Sequence, residues 1–275
     1  MKIENKKVKA LILYHSGAGS TKFVAEMIKE KLSDVFEVEL NHINSFYDNK
    51  KLDEYELVVL GFPTHHAEPS LSMKEYIDAL SSFVKSKKAF IYTTYGLYPG
   101  NSLRIFAKQL QGKNFQILAF EEFKAPASDG VLLFSDKLRF MFQFEKEFND
   151  KLNNFTEKIE NYKDIKPNTL PPYKWYVPLN DLIKPVGEKI YKKYRHNMHI
   201  DAELCTNCNL CVKVCDRNAW SKGENTPSFD VEKCEFCLEC VHKCPEKAIV
   251  FTEKMKDKPR LNRKFFKKIK ETFSS

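Results

Sequence analysis

Residues 8–22 read VKALILYHSGAGSTK, an apolar run that passes into a small-residue loop and then into a helical pattern. The run Val8–Tyr14 is short and nearly continuous rather than alternating, as expected of a strand buried on both faces. After the loop, Phe23, Val24, Met27, Ile28 and Leu32 recur at helical spacing. The same alternation continues outward. Further strands are expected at Val35–Leu40, Leu57–Leu60, Ala89–Thr93 and Phe115–Ala119, with helices over 70–83, 101–111 and 135–161. The last of these carries the stripe Leu138, Phe142, Phe148, Leu152, Phe155 and Ile159, read as core packing. Five strands separated by helices imply parallel pairing with right-handed crossovers, a doubly wound α/β sheet.

The 275 residues allow two domains, and 43% hydrophobic with 30% charged residues is a globular profile. A formal charge of +8 first suggests nucleic acid or a membrane surface. From Lys254 onward, however, nine basic residues face two acidic ones, leaving the preceding chain near +1. A general nucleic-acid function is therefore not expected. No apolar stretch approaches the about 18 residues of a membrane span. MKIENKKVKA does not read as an export signal, so a cytoplasmic setting is expected.

Between Ile165 and Pro185 the composition shifts to five prolines, a semi-rigid linker. The expected organisation is a first domain over 1–164, a linker over 165–197 with a short helical segment near Val186–Tyr194, a cysteine domain over 198–253, and a basic tail over 254–275. Leu261, Phe265, Phe266, Ile269 and Phe273 fall near one face of a helix in that tail. That face is expected to pack on the protein's own surface with its lysines solvated. The alternatives are contact with an acidic redox partner or an anionic surface. Removal of 254–275 is expected to leave cofactor content intact.

All eight cysteines fall between Cys205 and Cys244, as CTNCNLCVKVC repeated 29 residues later as CEFCLECVHKC. Thiolate is the ligand iron–sulfur clusters need, and three sulfurs at intervals of three gather around one side of a cubane. Zinc sites pair cysteines differently, and disulfides need an oxidising compartment. His242, inside the second motif, is expected at the surface. Asp216 stands where the second repeat has Pro245.

Over 198–252 the chain resembles bacterial-type two-cluster ferredoxins. That resemblance implies crossed ligation: Cys205, Cys208, Cys211 and Cys244 for one 4Fe-4S cluster, and Cys234, Cys237, Cys240 and Cys215 for the other.

The loop after the first strand has small residues for close backbone approach, hydroxyls, and a helix N-terminus, all suited to a phosphate. It lacks the Walker pattern, and Lys22 stands where a dinucleotide fingerprint needs its third glycine, although Glu39 keeps that reading open. Over residues 6–162 the chain resembles flavodoxins, on YHSGAGST, on GFPTHHAEP (61–69) and on TTYGLYPGNSLR (93–104). The resemblance implies a sheet of order 2-1-3-4-5 and an FMN site. Ser16, Gly17, Gly19, Ser20 and Thr21 would hold the phosphate. Thr64, His65, Tyr95, Gly96, Tyr98 and Asn101 would border the isoalloxazine. His65 and His66 are expected to shape the pocket rather than to catalyse.

Together the two parts resemble the flavodoxin–ferredoxin fusions of anaerobic bacteria, the EFR-type "ferrodoxins". That resemblance implies an electron carrier between the clusters, FMN and redox protein partners. The alternatives are a flavin-dependent reductase fed by the clusters, and a sensor or scaffold that uses clusters structurally.

Overall fold

The computed structural model describes residues 7–45, 49–167 and 170–274. The chain forms two compact units. One takes in the chain to His15, Thr21–Lys124 and Phe144–Tyr173; the other takes in Ser16–Ser20, Ala125–Gln143 and the chain from Lys174 onward.

The first unit runs β1 (Val8–Tyr14), α1 (Ser20–Leu32), β2 (Phe36–His42), α2 (Asn49–Leu52), β3 (Leu57–His65), β4 (Glu68–Pro69), α3 (Leu71–Ala79), β5 (Lys87–Tyr95), α4 (Ser102–Gly112) and β6 (Phe115–Lys124). The sheet order is β2-β1-β3-β5-β6, all parallel, with β4 folded antiparallel onto β3. Counting only the five long strands, this is the expected 2-1-3-4-5 order. The chain reverses its direction of travel across the sheet at β1 and β3, which gathers the loops after those strands at one end.

Ala10 to Leu13 are fully buried, because β1 lies between β2 and β3 with a helix layer on each face. Successive side chains point to opposite faces. Leu11, Leu13, Val58 and Leu60 join Met73, Ile77, Leu103 and Phe106 in one layer. The other face is aromatic: Tyr92 meets the rings of Phe123 and Phe155, and Phe123 meets Phe148. Gly61 in β3 leaves room for Tyr92, whose hydroxyl donates to the Thr21 carbonyl at 3.1 Å. A Cβ at Gly61 would lie 2.0 Å from the Tyr92 ring.

The continuous helix expected over 135–161 is instead two pieces. After α5 (Gly130–Leu133), residues Asp136–Phe142 form 3-10 turns, and α6 (Phe148–Glu160) begins afresh. Phe142 packs on Gly130 and stacks on Phe134, while Phe148, Leu152, Phe155 and Ile159 are buried in the sheet unit. The stripe therefore serves two different cores. Leu138 is exposed and does not belong to either. In the proline-rich stretch, α7 (Val177–His196) is far longer than the segment expected near Val186–Tyr194. Pro178 occupies its first turn, where no amide hydrogen is needed, and Pro185 is accommodated inside.

Replacing Gly61 by Ala is expected to cost about 1–3 kcal/mol by overpacking against Tyr92. A lowered denaturant midpoint with an unchanged far-ultraviolet spectrum checks this.

Candidate functional site

The cysteine module is built twice. Its first half runs β7 (His199–Ile200), α8 (Leu210–Val214) and β8 (Trp220–Ser221); its second runs β9 (Ser228–Phe229), α9 (Glu239–Lys243) and β10 (Ile249–Val250). Each element of the second half lies 29 residues after its counterpart. The halves interlock, since β7 pairs with β10 and β8 with β9, both antiparallel.

The backbone repeats as well. Asn207, Asn209 and Asn218 have φ of 51°, 56° and 51°, and their counterparts Phe236, Leu238 and Lys247 have 60°, 63° and 54°. Asn tolerates this left-handed region, whereas an ordinary side chain there costs roughly 1–2 kcal/mol. The second half bears that cost because the turns place the cysteines.

Cys205, Cys208, Cys211 and Cys244 line one cavity, walled by Ile200, Leu210, Pro227, Pro245, Ala248 and Ile249. The other four sulfurs are also mutually close, with the Cys234 thiol feeling Cys215 and the Cys240 thiol feeling both. Burial pushes the Cys211 and Cys234 thiols up to about 11, and Cys237 and Cys240 upward as well. Sulfurs so crowded do not ionise together unless a cation shares their charge. Donors already aim at them. Ala219 N–H donates to Cys215 Sγ at 3.2 Å, its counterpart Ala248 N–H to Cys244 Sγ at 3.3 Å, and Phe236 N–H to Cys234 Sγ at 3.3 Å. Such N–H···S bonds stabilise charge on sulfur.

His242 is not the surface residue expected: it is 1% exposed. The Leu261 N–H donates to Nδ1 at 3.0 Å, so the proton sits on Nε2, which donates to the Ser128 carbonyl at 2.9 Å. Burial pushes this imidazole down to about 4. It ties α9 to two segments far away in sequence. The chain after Phe251 is likewise no free tail. Met255, Arg260 and Leu261 are buried, and Met255 and Leu261 belong to the module's core. Only α10 (Arg263–Ser274) fits the solvated basic helix expected, with Phe265 and Phe266 packed inward and its lysines exposed. Removal from residue 254 would therefore strip core residues, contrary to the expectation of a dispensable tail.

The loop Ser16–Ser20 clusters with the cysteine module. A Cβ on Gly17 would lie 2.4 Å from the Cys237 carbonyl oxygen, and one on Gly19 (φ +106°) 2.6 Å from the Phe266 ring. Ser16 is buried and its Oγ has no partner among the described residues. Ser20 Oγ donates to the Pro126 carbonyl at 2.9 Å, and Thr21 Oγ1 pairs with Thr94 Oγ1 at 2.8 Å. Of the three hydroxyls read as anion donors, two are thus already engaged. The amides at the N-terminus of α1 and the unpartnered Ser16 hydroxyl fit a phosphate.

In the sheet unit, Thr64 Oγ1 lies 2.8 Å from both Thr93 Oγ1 and Ser102 Oγ. His65 ends β3, and His66 and Ala67 form a two-residue hairpin turn with φ of 51° and 65°. Such a turn normally carries Asn-Gly. Gly100 (φ +57°) packs directly on Ala67, which holds the 61–69 and 93–104 loops together. Asn101 is buried, Tyr95 and Gly96 are half-buried, and Leu97 and Tyr98 are exposed. His15 was not anticipated from sequence: it is buried, and its Nδ1 lies 2.8 Å from Ser70 Oγ. Glu39 accepts from Tyr55, which holds its carboxyl below the usual range, so it is occupied and the dinucleotide reading falls.

The chain thus pairs a doubly wound sheet of order 2-1-3-4-5 with a duplicated eight-cysteine module. Matches to family models agree. Residues 11–118 match a flavodoxin domain and residues 192–249 a 4Fe-4S dicluster domain. The chain joins a flavodoxin domain to a 4Fe-4S dicluster domain; domains of these kinds imply FMN and 4Fe-4S clusters and support an electron-transfer role. A flavodoxin of Clostridium saccharobutylicum is 34% identical over 97 residues, 34% of this chain and 61% of that protein. Similar solved structures include the rubredoxin oxygen:oxidoreductase of Desulfovibrio gigas (18% identity, TM-score 0.43, 58% of this chain and 37% of that one). The flavodoxin of Streptococcus pneumoniae TIGR4 is another (15%, 0.45, 56% and 99%). At these scores the likeness adds nothing to the topology described above. Among the described residues no helix is long and apolar enough to cross a membrane.

Replacing His242 by Ala takes the partner from the buried Leu261 amide and from the half-buried Ser128 carbonyl. A loss of about 2–4 kcal/mol is expected, with faster hydrogen exchange at the Leu261 amide as the site-specific readout.

Proposed function

We propose that this protein relays low-potential electrons between two 4Fe-4S clusters and FMN. When bound, the clusters supply one-electron exchange and the flavin one- or two-electron exchange. Cys205, Cys208, Cys211 and Cys244 would hold one cluster, and Cys215, Cys234, Cys237 and Cys240 the other. The cavity lined by the first four sulfurs supports the crossed set. Cys208 is exposed, so the first cluster site is open to a redox partner. Ser16, with the amides of Gly17, Gly19, Ser20 and Thr21, would bind the FMN phosphate. Thr64, His65, Tyr95, Gly96, Tyr98 and Asn101 would border the ring.

One observation carries the relay. A Cβ on Gly17 would fall 2.4 Å from the Cys237 carbonyl oxygen and 2.8 Å from the Cys237 Cβ, so a residue of the proposed phosphate loop lies close to a proposed iron ligand. The solvated lysines of α10 would steer an acidic partner to the protein.

Anaerobically purified protein is expected to contain about eight iron atoms, from two cubanes, and one FMN per chain; zinc without flavin would overturn the reading. In Gly17→Ala, the added methyl must displace the loop from Cys237. Flavin reduction by the clusters in stopped flow, measured per bound FMN, should then slow several-fold. An unchanged rate would break the link between that contact and the relay. Turnover of quinones, nitro compounds or enones at rates matching cluster reoxidation would instead favour the small-molecule reductase.

A further inference from the structure

The duplication makes two nearly equivalent sulfur sites, but the segment after Phe251 occurs only once and brings in a cation. Arg260 is 5% exposed. Its Nη1 donates to the carbonyls of Met255 at 2.9 Å and Lys258 at 3.0 Å. Nε and Nη2 are buried without an acceptor among the described residues. A guanidinium offers only donors and stays charged, so burying it is costly unless an anion faces it.

The surroundings identify that anion. The Leu261 amide, one residue on, is fixed to His242, two residues before Cys244. Burial disfavours the ionised guanidinium, and the charge that opposes this is the Cys244 sulfur. Met255 and Leu261, on either side of Arg260, pack in a core that Cys211, Cys215, Cys240 and Cys244 all border, and the His242 link brings Arg260 to the Cys244 side of it. The other sulfur set has a different neighbourhood. Asp216 follows Cys215 directly and Glu235 and Glu239 act on Cys237, whereas, among the described residues, Glu246 is the one acid lining the Cys244 cavity. The cation there, Arg195, acts on Cys234 and also has an Nε without a partner among the described residues, but it is half-exposed and donates to the Cys234 carbonyl at 3.1 Å.

We propose that Arg260 is a buried counter-charge to the cluster held through Cys244, and that it sets that cluster's potential above its duplicate's. Reduction adds an electron to an already anionic centre, and a fixed cation in a low-dielectric site favours the reduced form. Arg260 supplies no ligand to the cluster; it acts by tuning. The inference rests on the crossed ligation proposed above.

The test is an EPR-monitored redox titration of the full-length, anaerobically purified protein. In Arg260→Gln one of the two one-electron waves should move so that, at a given potential, its reduced-to-oxidised ratio falls at least tenfold, about 59 mV for a one-electron couple. The moving wave should be the one perturbed by Cys205→Ser and not by Cys234→Ser. Arg260→Lys, which keeps the charge, should recover most of the shift. If Arg260→Gln loses iron while Arg260→Lys retains it, charge is what holds the set and the inference stands. Unmoved waves in Arg260→Gln, movement of the other wave, or iron loss in both variants would overturn it. A wild-type protein without clusters would instead defeat the ligation reading itself.

Discussion

Crowding eight sulfurs into forty residues of chain, from Cys205 to Cys244, is the constraint from which the second unit follows. Burial makes the Cys211, Cys234, Cys237 and Cys240 thiols resist ionisation, and neighbouring charges make it harder still. Left-handed turns aim the sulfurs inward, and backbone amides donate to three of them. That arrangement leaves little regular structure. The strands of the module are two residues long and its helices five. So small a body buries too little apolar surface to stand alone. It therefore recruits Val131 and Leu132 from one side and Met255 and Leu261 from the other, and His242 pins both segments in place.

The sheet unit solves the opposite problem. Its core is ample, so strain can be tolerated at its loops. His66 and Ala67 adopt backbone angles that glycine or asparagine would adopt more easily. Their turn holds because Ala67 is seated against Gly100, so two loops that the sheet order gathers at one end brace each other.

Much of this was legible in the chain. Continuous apolar runs mark parallel strands, because burial on both faces removes any alternation, and the expected sheet order is the one observed. The cysteine repeat was equally plain, since ligand spacing is dictated by the metal cluster rather than by the fold. What was hidden depends on contacts between residues far apart. The stripe from Leu138 to Ile159 has one period but two destinations, and periodicity does not reveal where a helix must break. His242 sits in a polar, charged neighbourhood of sequence, and nothing local shows that Ser128 and Leu261 would close over it. Pro185 reads as a helix breaker, yet α7 carries it. The roles of Ser20 and Thr21 were readable as hydroxyls near a loop, but not that Pro126 and Thr94 would claim them.

The interlocking of the two halves also governs how the module comes into being. Ile200 pairs with Ile249, and the wall of the first cavity contains residues from both Cys205 and Ile249. As the chain leaves the ribosome, the first four cysteines emerge with no lid above them. The cavity closes only after synthesis has passed residue 250, and by the same pairing the second half finds its partners already made. That cavity is thus the last part of the module to be completed, and a chain ending before Ile249 would carry all eight cysteines yet lack part of its wall.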